Sequence, residues 1–127
     1  MISLLLLLFC AASPVAMALT NLTIGYLPTM SGDYHDKQGL SISGAISYAL
    51  HQIREKQILP GVHLTLKWND TKSDLLTTTK ALTEMVCHDN VVAVFGPEST
   101  CNVEATISSA WNRMMISHVS FDPLPCR

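Results

Sequence analysis

The stretch of this 127-residue chain richest in chemistry is Gly96-Pro97-Glu98-Ser99-Thr100, a polar loop between an apolar run and a helical pattern. Its glycine permits close backbone approach, and unpaired N–H groups at the start of the following helix could hold an anion or a ligand carboxylate. The plainer expectation, and the favoured one, is that Ser99 or Thr100 caps that helix. Asp33, His35 and Asp36 gather two carboxylates and an imidazole within one polar stretch. Such spacing is common in turns, and a solvated loop is expected there. His51, His63, His88 and His118 form no HExxH or other paired metal spacing, and neither GxSxG nor a phosphate-binding glycine loop is present. The sequence therefore predicts no metal site, no cofactor and no catalytic centre.

Residues 1–18 read as a cleaved signal peptide. Ile2 to Phe9 is unbroken and apolar, the run continues to Ala12 and breaks at Ser13-Pro14, and Ala16-Met17-Ala18 supplies the small-x-small pattern of a cleavage site. It is shorter than the roughly 20 apolar residues of a membrane-spanning helix. Leu19 to Arg127 would then enter the secretory pathway. Two N-glycosylation acceptors agree with that destination, Asn21-Leu22-Thr23 and Asn69-Asp70-Thr71. Asn69 is the better of the two, because Asn21 stands close to the cleavage point.

Removal of Cys10 with the signal leaves Cys87, Cys101 and Cys126, an odd number in an oxidising compartment, so at least one lacks an intrachain partner. Cys87 ends one predicted helix below a strand, and Cys101 begins the next helix above it. The intervening strand residues, at about 3.3 Å each, separate the two by roughly 16 Å, beyond the roughly 7 Å limit for bridged Cα atoms. Cys87 and Cys101 should not pair. Geometry leaves Cys101 with Cys126 open, since both follow upper strand ends, and a buried free Cys87 is the simple alternative.

The elements that must position these residues follow from hydrophobic period. Thr20 to Leu27 reads as a strand with Leu22, Ile24 and Tyr26 on one face, ending in the turn-rich stretch Pro28 to Asp36. Gln38 to Lys56 carries a helical stripe of Ile42, Ile46, Ala49 and Ile53, closed by Pro60-Gly61. Val62, Leu64, Leu66 and Trp68 alternate with His63, Thr65, Lys67 and Asn69, as in an edge strand with one solvated side. A helix over about Ser73 to His88 has Leu75, Thr79, Leu82 and Val86 inward, with Leu76 and Met85 beside them. Val91 to Phe95 is continuously apolar, as a central strand would be, and a third helix runs to about Arg113 before a short strand, Met114 to Ser117. Strand and helix in strict alternation predict a doubly wound parallel α/β sheet, and the edge and central readings of the strands suggest the order 2-1-3-4. Residues 118–127 carry two prolines and a cysteine without helical pattern and form an irregular tail. A net charge of −2, with no basic stripe or acidic block, gives no reason to expect nucleic acid or an anionic membrane as partner.

Leu22-Thr23-Ile24-Gly25-Tyr26-Leu27, Gln38 to Ala45, Lys67 to Lys72, and Val94-Phe95-Gly96-Pro97-Glu98 with Cys101 resemble the receptor ligand-binding region shared by natriuretic peptide receptors, receptor guanylate cyclases and glutamate receptor amino-terminal domains. The likeness is strongest to invertebrate receptor-type guanylate cyclases. It implies that residues 19–117 are part of the first lobe of a type I periplasmic-binding-protein-like fold, from an N-terminal fragment of a receptor. The full form would bind a peptide or small molecule, act as a homodimer, and owe any cyclase activity to domains beyond this chain. A glutamate-type receptor lobe and a secreted decoy are the alternatives. The resemblance further implies a chloride site at Thr71, Thr100 and Cys101, and a bridge from Cys87 to a hinge cysteine absent here. In open α/β sheets ligands settle beyond the carboxyl ends of the strands, which points to the loops Thr29 to Asp36, Asn69 to Lys72 and Gly96 to Thr100, with Ser99 and Ser117 among the cleft candidates.

Overall fold

The computed structural model describes residues 19–32, 39–98 and 101–117. The order is β1 (Thr20–Tyr26), α1 (Gly39–Glu55), β2 (Val62–Trp68), α2 (Leu75–His88), β3 (Val91–Phe95), α3 (Asn102–Ala110) and β4 (Met114–Ile116). All pairings are parallel and the sheet runs β2-β1-β3-β4, the doubly wound order that the alternation predicts. The expected signal peptide, Asp33, His35 and Asp36, and the tail from His118 lie outside the described residues. Among the described residues no helix is long and apolar enough to cross a membrane.

The helix ends differ from the periodic reading for local reasons. Ser73 has a left-handed φ of 58°, so α2 cannot include it. Asp74 caps the helix instead, its carboxylate accepting from Thr77 N at 2.7 Å. At the far end of α3, Asn112 has a φ of 52°, which ends the helix before Arg113. Cys101 is the N-cap of α3, without a side-chain cap bond. Ser99 and Thr100, the residues expected to cap it, lie outside the described residues.

The core lies on one face of the sheet. Leu27, Ala81, Leu82, Met85, Val86, Val91 and Val94 form its buried cluster, with Ile107 and Met115 packed against it. Val91 and Val94 are three apart and in a regular strand would face opposite ways. The register shifts between Thr23 and Ile24, whose partners are Val91 and Ala93. The extra residue, Val92, turns both valines to the same side. Gly25 lets α2 approach this face, since a Cβ there would stand 3.1 Å from Met85 Sδ and 3.1 Å from Val91 Cγ1.

Two predicted faces are corrected. The inner side of α2 is Thr78, Ala81, Leu82, Met85 and Val86, while Leu75 and Leu76 are 50% and 77% exposed, because they stand in the first turn, ahead of the buried stripe. On the opposite sheet face, Leu22, Ile24, Leu64 and Leu66 are only half-buried and Ala49 of α1 is exposed, and Trp68 at the open β2 edge is 58% exposed. Leu82→Ala is accordingly expected to cost about 2–5 kcal/mol, whereas Leu76→Gln should stay within about 0.5 kcal/mol. Urea unfolding followed by circular dichroism measures both.

Candidate functional site

Parallel pairing sends β1, β2, β3 and β4 to the same end of the sheet, and backbone bonds continue past the strands there. Leu27 N donates to Phe95 O at 2.8 Å, Asn69 N to Tyr26 O at 3.1 Å, Thr71 N to Pro28 O at 2.9 Å, and Gly96 N to Ile116 O at 2.9 Å. Gly96 is required at its position. Its φ is +98°, and a Cβ would fall 2.5 Å from Leu27 O.

Two threonines join the first two loops. Thr71 Oγ1 donates to Pro28 O at 3.1 Å, so the 2.9 Å contact between the Thr29 and Thr71 hydroxyls has Thr29 as donor. Both residues are 1% exposed. Beside them Asp70 gathers the start of the β1–α1 loop. Its Oδ1 accepts from Met30 N at 2.9 Å, Ser31 N at 3.4 Å and Lys72 N at 3.0 Å, and its Oδ2 accepts from Ser31 Oγ. Burial pushes the Asp70 carboxyl up, but the bonds from Ser31, Met30 and Lys72 outweigh it and hold the group below its ordinary range.

Glu98 presents the opposite case. It is 2% exposed, and burial raises its carboxyl above the ordinary value. The backbone N–H groups of Thr29 and Gly39 pull the other way, while the Asp70 charge adds to the rise. Among the described residues neither carboxylate oxygen meets full hydrogen-bond geometry with a partner. The neighbouring Tyr26 hydroxyl donates to Gly39 O at 3.2 Å, and its phenol is raised by burial, partly offset by Ser43, with Glu98 adding to the rise. One end of the sheet thus carries an acid satisfied by donors and shifted down at Asp70, and a buried acid shifted up at Glu98.

Of the residues singled out in the sequence, Thr71 and Ser117 stand at this end. Ser117 Oγ donates to Pro97 O at 3.0 Å, tying β4 to the Gly96 loop. Ser99 and Thr100 lie outside the described residues. Cys101 is 2% exposed and disulfide-bonded; Cys126, the partner weighed for it, lies outside the described residues. Cys87 is free and exposed, not buried, because it falls one position beyond the inner stripe of α2. Thr71, one of the positions of the implied chloride site, has its hydroxyl bonded to Pro28 O and to Thr29 Oγ1. Asn21 and Asn69 are both exposed. Thr29, Asp70, Glu98 and Tyr26 were not recognisable as site residues, since each reads as an ordinary turn or strand residue; only the aspartate two residues before Lys72 hinted at a local turn.

The two acids predict opposite pH behaviour. For Glu98, both states are protonated below the ordinary carboxylate range. As pH rises from there to the folded value, the unfolded chain releases its proton first and stability falls. Asp70 contributes stability above the ordinary range that is lost as pH falls through its folded value. Glu98→Gln should therefore be more stable than the parent at pH 7, and Asp70→Asn less stable, with both differences closing on acidification. Urea midpoints across pH 3–7 read both.

The model of the receptor family ligand binding region matches residues 41–126. The receptor-type guanylate cyclase Gyc76C of Drosophila melanogaster is 47% identical over 117 residues, covering 91% of this chain and 8% of that protein. Among solved structures, the branched-chain amino acid transporter substrate binding protein LivJ of Streptococcus pneumoniae, in complex with isoleucine, superposes with a TM-score of 0.74 at 19% identity, covering 82% of this chain and 30% of its own. The leucine binding protein LivK of Thermotoga maritima gives 0.68 at 21% identity, covering 80% and 29%. These bacterial likenesses show the periplasmic-binding-protein-like fold. The chain belongs to the receptor family ligand binding region family.

Proposed function

We propose that this chain is the opening part of the extracellular ligand-binding domain of a receptor-type guanylate cyclase, reached through the secretory pathway. The observation that carries the reading is the 47% identity to Gyc76C across 91% of the chain. The geometry supports it. Four strand ends converge on one surface, braced by Thr29, Asp70 and Thr71, which is where open parallel sheets receive ligands. The residues there hold and orient loops; Asp70 is fully engaged with backbone donors, and Glu98 is buried. The role proposed for this chain is recognition, and cyclase chemistry belongs to other domains of the full receptor. That receptor would close a second lobe over this surface around a peptide or small molecule, and would signal to cGMP synthesis through a change in homodimer geometry.

The chain spans 8% of the length of the receptor it matches, so the test lies in the transcript and the tissue. Long-read sequencing is expected to show a reading frame continuing beyond Arg127 into a second lobe, a membrane span and a cyclase domain. An antibody to residues 41–58 should detect a membrane protein much larger than 13.9 kDa. A stop codon after Arg127, with secreted protein of that small size as the product, would overturn the proposal.

A further inference from the structure

We infer that Asn69 is an N-glycosylation site used before the domain folds, and that folding then closes the acceptor motif by burying Thr71. This rests on the secretory reading above. The motif Asn69-Asp70-Thr71 requires both the asparagine amide and the hydroxyl two residues later. The fold treats these two groups in opposite ways. Asn69 is exposed at the end of β2, an edge strand, and its side chain makes no hydrogen bond among the described residues. It lines an open surface cleft of about 250 Å³ together with Lys67, Ala81, Glu84, Met85, His88 and Asp89, so a sugar there meets a mixed polar and apolar wall and open solvent. Thr71 is 1% exposed, with its hydroxyl held by Pro28 O and Thr29 Oγ1. Asp70, between them, is fixed by the Met30 N–H of the neighbouring loop and the Lys72 N–H of its own.

In the transfer, Asn69 Nδ2 attacks the anomeric carbon of an oligosaccharide carried on a lipid diphosphate. A C–N bond forms, the C–O bond to the diphosphate breaks, the amide loses one proton and the lipid diphosphate departs. A transferase that must read the Thr71 hydroxyl finds it in the extended, unfolded chain and loses it once the two threonines pair. The product remains compatible with the fold because Asn69 is exposed. The glycan then covers the end of β2, an edge whose backbone would otherwise be open to another strand. Asn21 differs, since it lies in β1, an inner strand of the sheet, opposite His63 of β2.

The experiment is translation of the full chain in the presence of microsomes, once with its own leader and once with a leader of established function placed ahead of it. Endoglycosidase treatment should increase mobility in the second arm, and Asn69→Gln should abolish that component while Thr71→Ser retains it. Mobility unchanged by Asn69→Gln in that arm would overturn the site. Failure of protease protection with the native leader alone would instead count against the secretory reading. The order of events is read by offering a purified transferase and lipid-linked donor to the native, unglycosylated chain and to the same chain in urea followed by dilution. Modification confined to the unfolded sample is expected; equal modification of both would overturn the claim that folding closes the site.

Discussion

β1 is hydrogen-bonded on both sides, to β2 and to β3, and both neighbours run parallel to it. That single constraint organises the rest. A parallel neighbour can be reached only by a crossover, so each return carries a helix, and every strand delivers its carboxyl end to the same surface. The backbone of β1 then serves as the common wall. Tyr26 O and Pro28 O accept from the β2 loop, and Leu27 N donates to β3. Burial of Leu27, Thr29 and Thr71 makes an unpaired group there costly, about 1–3 kcal/mol each, and the loops are held accordingly.

The same surface holds two acids in different surroundings, one shifted down and one shifted up. Asp70 is satisfied by four donors and keeps its charge. Glu98 is enclosed, with no partner at full hydrogen-bond geometry among the described residues, and its carboxyl is raised. Their proximity reinforces the difference, because the Asp70 charge disfavours a second one at Glu98. Glu104 repeats the pattern inside α3, 1% exposed and unpartnered, with burial raising its carboxyl. Buried acids of this kind trade stability at neutral pH for a defined polar interior.

The fold was legible because its signals are local. The continuously apolar run from Val91 to Phe95 marks a central strand, the strict alternation from Val62 to Trp68 marks an edge strand, and the helical spacing between them supplies the crossover of a 2-1-3-4 sheet. The motifs around Gly25 and Gly96 pointed to the family that the comparisons then showed. The extra residue at Val92 was invisible, because a register shift depends on the partner strand. The inner face of α2 was misjudged at Leu75 and Leu76, where hydrophobic type alone does not tell which end of a helix the sheet covers. The site was legible as a set of loops and not as a set of residues. Thr29 and Thr71 are 42 positions apart, and nothing in either neighbourhood announces the other. Glu98 becomes notable only through its enclosure, which is a property of three elements meeting.

Hydrogen exchange at single amides tests the central claim, that the strand ends are locked into one preformed surface. Leu27 N and Thr71 N should exchange as slowly as the amides of β3, in one cooperative unit with the core. Exchange of these two amides at the rate of the exposed side of α1, with β3 still protected, would contradict it and show that the surface is not preformed.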